Sequence, residues 1–394
     1  MNYQISENMQ KVKGSAIREI FKIIAKPDII SFAGGIPDPK LFPKEKIAEI
    51  SSEIFLKNSD ECFKYGITEG YAPLIEKVNA RLANRGTYKD DNQTIITAGG
   101  NQGLDLAARA ILNTGDSVIV EEPSFIGVLN SLRTFGANLI GVPVLSDGMD
   151  IDKVEKILSE NNNVKVLYTI PTFQNPSGIT MPTENRERLI EICKKHNVVI
   201  FEDNPYGELR YSGENVPTIK SLDKDNVVMY FGSFSKILSP GMRVGFVHGM
   251  PEIIGKMIVA KQVCDVHTGM INQMIVNKWL ETCDVDRHIK ECCKVYKHKC
   301  DLMLSEMDKK FPKSVKFTRP DGGIFIWCTM PEGCDANEAV KICVDKKVAF
   351  IPGPTFMTDI NKKSNCFRLN FSTMPDEKII EGIGILGEAL NEIL

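Results

Sequence analysis

The strongest constraint on the fold is an alternation. Seven short β-rich runs recur between residues 94 and 249: TIIT (94–97), SVIVEE (117–122), NLIGVPV (138–144), VKVLYTI (164–170), VVIFED (198–203), VVMYF (227–231) and RVGFVHG (243–249). Helical stretches such as NQGLDLAARAILN (101–113) and TENRERLIEICKKH (183–196) separate many of them. Runs rich in Val, Ile and Leu read as strands covered on both faces, and helices between them permit parallel crossovers. The expected architecture is α/β, a mostly parallel seven-stranded sheet flanked by helices. After residue 285 the pattern changes to a long charged helix, two shorter strand candidates, GIFIWCT (323–329) and CFRLNFS (366–372), and a final helix. That region reads as a smaller α+β domain. A chain of 394 residues exceeds the size at which single cores stop growing, so two domains are expected.

Composition narrows the partners. With 43% hydrophobic and 25% charged residues the chain is ordinary for a soluble globular protein, and a net charge of -3 gives no electrostatic footprint for nucleic acid or an anionic membrane. No stretch reaches the ~18 consecutive apolar residues of a membrane span. The N-terminal MNYQISENMQ carries Glu7 and lacks the apolar core of a signal peptide. The 11 cysteines form no C-x-x-C pair, and an odd number would leave one unpaired under oxidation, so a reducing, cytoplasmic setting is expected. His288, Cys292, Cys293, His298 and Cys300 cluster in a charged helical stretch, but their spacing matches no zinc pattern, and no metal is expected.

In open α/β sheets ligands bind beyond the carboxyl ends of the strands. Asp203 ends VVIFED, Glu122 and Phe125 follow SVIVEE, Asn175 lies five residues past VKVLYTI, and Lys236 five past VVMYF. Gly99-Gly100-Asn101-Gln102 joins TIIT to the next helix, where backbone N–H groups and the helix dipole suit an anion. Taken singly, each has a plain reading: a tight turn, a turn-capping Asp203, a solvated lysine, a surface-paired Arg243. Together they supply an amine, a carboxylate, phosphate donors, a second cation, an aromatic ring and a phenol. Pyridoxal phosphate has an aldehyde, a pyridine nitrogen, a phenolic oxygen and a phosphate to meet them.

The sequence also resembles the fold-type I pyridoxal-phosphate enzymes, specifically the class I/II aminotransferases. The resemblance is carried by SFAGGIPDPKLFP (31–43), YGITEGYAPLIEKV (65–78), ITAGGNQGLDL (96–106), EEPSF (121–125), PTFQNPSG (171–178), EDNPYGELRY (202–211), SFSKILSPGMRVGF (233–246) and CFRLNFS (366–372). It is nearest to the branch of α-aminoadipate, kynurenine and broad aromatic or branched-chain enzymes. It implies an N-terminal arm with part of the small domain in residues 1–43, a large cofactor-binding domain in 44–284 and a small domain in 285–394. It implies that Lys236 links covalently to the cofactor and then serves as general base and acid, with a lowered pKa. Asp203 would hold a proton on the pyridine nitrogen, Asn175 and Tyr206 would bond the phenolic oxygen, and Phe125 would cover the ring. Gly100, Asn101, Gln102, Ser233, Ser235 and Arg243 would bind the phosphate. Tyr65 would reach the phosphate of a neighbouring subunit, which implies a homodimer. Arg368, with Gly35 and Asn175, would take the substrate α-carboxylate. In the segment KGSAIREIFKIIAKPDIISFAGG (13–35), Ser15, Ile17 and Arg18 are candidate substrate contacts, Arg18 for a distal carboxylate; an amphipathic helix with Arg18 in water is the competing reading. The cofactor motifs also serve carbon–sulfur lyases and cyclopropane-forming synthases of this fold. A regulator carrying an aminotransferase-like domain behind a winged helix is disfavoured, because the pattern begins near residue 1. A catalytically dead scaffold is disfavoured too, since Lys236, Asp203 and Arg368 are all retained.

Overall fold

The computed structural model describes residues 3–12 and 28–394. Its strands are β1 (Ile30–Ser31), β2 (Gln93–Thr97), β3 (Ser117–Glu122), β4 (Asn138–Leu145), β5 (Gly148–Met149), β6 (Val164–Thr169), β7 (Val199–Asp203), β8 (Val228–Ser233), β9 (Gly245–Gly249), β10 (Lys316–Phe317), β11 (Phe325–Thr329), β12 (Val348–Ala349), β13 (Ile351–Pro352) and β14 (Cys366–Asn370). Eight of them form one sheet in the order β2-β9-β8-β7-β6-β3-β4-β5. The seven runs read from the sequence supply seven of these strands. The eighth, β5, is the short return of a hairpin that pairs Met149 with Val144. The central pairings β4–β3–β6–β7–β8 are parallel, and β9 lies antiparallel between β8 and β2.

Period-two alternation sorts each strand onto two cores. Val118, Val120, Tyr168, Phe201 and Met229 enter one cluster, with Leu104, Leu106, Leu129, Ile254 and Met257 from the helices Gly100–Ile111, Ile126–Thr134 and Pro251–Cys264. Their neighbours Ile119, Leu167, Ile200 and Val228 enter the other, with Val154, Leu158, Leu189 and Ile219 from the helices Ile151–Glu160, Thr183–Lys195 and Ile219–Leu222. Burying one such side chain contributes roughly 1.5–3 kcal/mol, so helices are required on both faces.

The C-terminal region holds a second, antiparallel sheet, β10-β11-β14-β13. The two strand candidates form its centre, β11 and β14, paired from Phe325↔Asn370 to Thr329↔Cys366. The two-residue edges β10 and β13 carry too little pattern to read in advance. The helix Val285–Lys310 packs against the final helix Asp376–Ile393. Near the other end of the chain, β1 pairs in parallel with β12, which places residues 30–31 beside this region.

Two antiparallel steps restore direction, so β2 runs the same way as β8 and both end on one rim. Gly245 at the start of β9 pairs with Thr97 and with Ser233. A Cβ there would stand 2.8–2.9 Å from the backbone of Gly99 and Gly100. A glycine is needed for the turn after β2 to close over the rim.

Candidate active site

The turn after β2 is built for close approach. Gly99 has φ 84, which favours glycine, and a Cβ on it would lie 2.4–2.9 Å from the Arg243 guanidinium. Arg243, itself left-handed at φ 48, donates from Nη2 to Ala98 O at 3.0 Å. The helix Gly100–Ile111 starts beside that cation, so the N–H groups of Gly100, Asn101 and Gln102 lie in its unbonded first turn. The Gln102 side chain is committed elsewhere: Oε1 accepts from Ala98 N and Lys261 Nζ, and Nε2 donates to Asp265. Its backbone N–H remains for a ligand. Ser233 Oγ accepts from Ser235 N at 3.2 Å, leaving its own proton to donate. Phe125 caps the helix Ile126–Thr134 and lays its ring on Gly127 beside Asn101, where any Cβ would collide.

Lys236 lies past the end of β8. Its ammonium donates to the carbonyl of Gly35 at 2.7 Å, 201 positions away in sequence, and sits 5.7 Å from the Tyr206 ring centre. Burial lowers its pKa to about 8, the cations of Arg368 and Arg243 add to the shift, and Asp203 opposes it. Asp203, buried at the end of β7, is pushed up to about 7 by desolvation, held back by the hydrogen bond from Tyr168 and by Lys236. Tyr168 Oη donates to Asp203 Oδ2 at 2.8 Å, and Oδ1 has no partner among the described residues. Beneath this pair, Glu121 is also raised to about 7 by burial. It accepts from Thr169 Oγ1 at 2.6 Å, Ile170 N at 3.2 Å and Gln174 Nε2 at 2.9 Å, which anchors the loop carrying Asn175.

Arg368 on β14 is 5% exposed and no carboxylate pairs with it among the described residues. Nη1 donates to Asn175 Oδ1 at 2.8 Å and Nη2 to Ala33 O at 2.9 Å, while Nε is buried with no partner. The guanidinium lies 4.1 Å from the Phe325 ring centre and 4.9 Å from that of Phe356, and burial lowers its pKa to about 10. Gly35 adjoins these groups: a Cβ on it would stand in ordinary contact with Phe325 at 3.5 Å and Arg368 at 3.9 Å. Tyr206 packs edge-on to Phe325 at 5.6 Å, and burial raises its phenol. Phe356 is tied down across the site: its carbonyl accepts from Ser124 N at 2.8 Å, Arg133 donates to Thr358 O at 2.7 Å, and Thr358 bonds Glu122.

The fold thus gathers buried Asp203, Tyr206, Asn175 and Arg368 with half-buried Lys236 and Gly35 into one cluster, with the Gly99–Gln102 turn, Ser233, Ser235, Phe125 and Arg243 on the adjoining rim. Tyr65 is not among them; it is 88% exposed and meets His267 edge-on at 5.8 Å. Ser15, Ile17 and Arg18 lie outside the described residues. The residues not singled out in advance are Tyr168, Glu121, Gln174, Phe325 and Phe356. Glu121 stood in the EEPSF motif, but Tyr168 in VKVLYTI read only as a strand aromatic. The cysteine-rich helix has local uses for its polar groups: His288 bonds Ile237 O at 2.9 Å and His298 bonds Asp376 at 2.6 Å. Among the described residues, no helix is long and apolar enough to cross a membrane.

The chain also matches a known family in sequence and in fold. The model for aminotransferase class I and II matches residues 27–386. The aromatic-amino-acid aminotransferase 1 of Thermococcus litoralis is 40% identical over 392 residues, 98% of this chain and 94% of the relative. A kynurenine aminotransferase from Pyrococcus horikoshii, solved in complex with PMP, superposes with a TM-score of 0.95 at 41% identity, covering 99% of this chain and 97% of that one. The α-aminoadipate aminotransferase of Thermus thermophilus, complexed with N-(5′-phosphopyridoxyl)-L-leucine, gives a TM-score of 0.91 at 35% identity, covering 99% and 97%. The match spans both sheets and every motif around Lys236, and the chain belongs to the class I and II aminotransferases.

Proposed function

We propose that the chain is a pyridoxal-phosphate-dependent transaminase that moves the amino group of an aromatic, branched-chain or 2-aminoadipate-type amino acid to a 2-oxo acid such as 2-oxoglutarate. The observation that carries this reading is Lys236, a largely buried amine bonded to a neutral carbonyl and flanked by two guanidinium groups. A pKa of about 8 makes it a free base for a useful fraction of the time near neutrality.

The residues fit the cofactor. Bound pyridoxal phosphate supplies an aldehyde for covalent capture of amines and a ring that withdraws electrons from the substrate Cα. The N–H groups of Gly100, Asn101 and Gln102, the hydroxyls of Ser233 and Ser235, and Arg243 form the phosphate cradle, which a Cβ at Gly99 would fill. Asp203 Oδ1 faces no competing partner among the described residues and suits a protonated ring nitrogen. Asn175 and Tyr206 serve the phenolic oxygen, and Phe125 covers a ring face. Lys236 removes and returns the proton at the substrate Cα. Arg368, with Nε unpaired, binds the α-carboxylate together with Asn175 and Gly35.

Substrate breadth rests on the relatives. An aminoadipate enzyme that holds a leucine adduct supports a site open to both acidic and apolar side chains, and Arg18 is our candidate for the distal carboxylate. Tyr65 is exposed, as are Phe63 and Ile67 two residues to either side, which supports a homodimer in which it serves the partner's site. Eleven unpaired thiols support a reducing, cytoplasmic setting. The two sheets support a large domain at 44–284 and a small one at 285–394, with 1–43 as arm. The deciding experiment offers a panel of amino acids with 2-oxoglutarate to the holoenzyme. Glutamate formation with no free ammonia is expected, and ammonia release independent of the oxo acid would point to a lyase.

A further inference from the structure

Lys261, whose side chain is fully buried, lies on the helix Pro251–Cys264 where that helix packs on Gly100–Ile111. An ammonium there requires compensation, and Asp265 supplies it through both oxygens at 2.9 Å. Gln102 completes the set. Its Oε1 accepts from Lys261 Nζ at 2.8 Å and from Ala98 N at 2.7 Å, and its Nε2 donates to Asp265 Oδ2 at 2.6 Å. Lysine only donates and a carboxylate only accepts, so the amide has one orientation: a flip would set NH₂ against ammonium and oxygen against oxygen. With that amide fixed, Ala98 is held on both sides, by Gln102 at its N–H and by Arg243 Nη2 at its carbonyl.

The geometry points to Gln102, Lys261 and Asp265 as positioning residues that set the anion-binding turn against Arg243, and so make the site selective for a phosphorylated cofactor. This rests on the cofactor reading above. The three side chains belong to the surface behind the turn, and the backbone they clamp is the segment that directs the first N–H groups of the Gly100 helix. Apolar residues at this contact between helices would satisfy packing equally well; what they would not supply is a fixed Ala98. Two residues beyond the ion pair, His267 N donates to the backbone carbonyl of Asp265 at 2.8 Å and its ring meets Tyr65 edge-on.

The test compares two ligands differing only in the phosphate. Cofactor-free protein is titrated with pyridoxal 5′-phosphate and with pyridoxal in phosphate-free buffer, following absorbance. For Gln102→Leu, Kd for pyridoxal 5′-phosphate should rise about tenfold, the scale of one hydrogen bond to a charged group, while Kd for pyridoxal stays unchanged. Asp265→Asn, at a half-buried position, should show a smaller rise with the same selectivity, and decides the matter should Gln102→Leu lack a cooperative melt. Parallel rises for both ligands, or no rise for either, would show that the network only stabilises the helix contact and would overturn the proposal. Equal affinity of the unmodified protein for the two ligands would overturn the cofactor reading itself.

Discussion

Lys220 packs beside Val228, where β8 begins, and Lys236 lies three residues beyond Ser233, where β8 ends. At the first end the ammonium, fully buried, has Asp223 at 3.1 Å and Val228 O at 2.8 Å. Burial lowers its pKa and the Asp223 carboxylate opposes that shift. At the second end the nearest partner is a neutral carbonyl, and the neighbouring Arg368 and Arg243 reinforce burial. The two ends of one strand therefore set a buried lysine paired with a carboxylate against a lysine that has only a carbonyl. The difference lies in whether the fold provides an adjacent carboxylate: a paired ammonium joins the framework, and an unpaired one is available for chemistry.

The sharpest way to break this comparison is to remove each amine in turn. Lys236→Ala should lower kcat by at least about 10⁴-fold while the protein still binds cofactor, because general acid–base transfer and the covalent link vanish together. Lys220→Met should leave kcat of the folded enzyme near its original value and instead cost about 3 kcal/mol of stability, since Asp223 loses its buried counterion. Steady-state kinetics and urea unfolding on both variants give the readout. A kinetic defect in Lys220→Met matching that of Lys236→Ala would end the distinction.

Arg368 extends the comparison to the second sheet, where a buried cation is again left without a carboxylate. Here the missing partner is the substrate. Arg368→Lys keeps the charge but not the planar fork, and kcat/KM for amino donors should fall by about 10–100-fold, the worth of one charge-assisted pair. The loss should be equal for acidic and apolar donors, because both present the same α-carboxylate. Arg18→Ala, by contrast, should lower kcat/KM by about tenfold for 2-aminoadipate and far less for leucine. Equal losses in Arg18→Ala would remove it from specificity.

How much of this was legible in the sequence depends on what each residue needs to be recognised. Asp203 and Lys236 sit at strand ends, where chain order alone places them on one rim. Strand alternation even separates Asp203 from Glu202, which points to the other face and accepts from Ile219 N and Lys220 N at 2.9 and 2.7 Å. Tyr168 could not be found that way, because its role depends on lateral register: β6 pairs Tyr168 with Phe201 on β7, and from there its hydroxyl reaches across to Asp203. Glu121 needs the fold of the 170–178 loop to acquire its donors. The helix 251–264 offered Lys261 as one more charged residue, and only packing shows it buried against Gln102. The contact of Gly35 with Lys236 spans 201 positions and has no local trace.

The smallest expected effect is that of Tyr168, and it is read through the two acids below the rim. Asp203 and Glu121 are both raised to about 7 in the folded cofactor-free chain, against ordinary values of 3.8 and 4.5. A raised carboxyl binds its proton more tightly folded than unfolded, so its contribution to stability is full below the unfolded pKa and is lost as pH rises through the folded one. The cofactor-free protein should therefore lose stability between about pH 4 and pH 7, and Asp203→Asn should flatten its share of that slope while Glu121 keeps the rest. Tyr168→Phe sharpens the test. The Tyr168 hydroxyl favours the ionised form of Asp203, so removing it raises the folded pKa, extends the loss above pH 7 and deepens it by about 1 kcal/mol, the net worth of one hydrogen bond. Urea unfolding at pH 5 and at pH 8.5 measures the difference, with Asp203→Asn/Tyr168→Phe as the control in which the extra loss should disappear. If Tyr168→Phe is destabilised equally at both pH values, the hydroxyl serves packing alone, and Asp203 would be held ready for a cationic ring nitrogen by burial without help from β6.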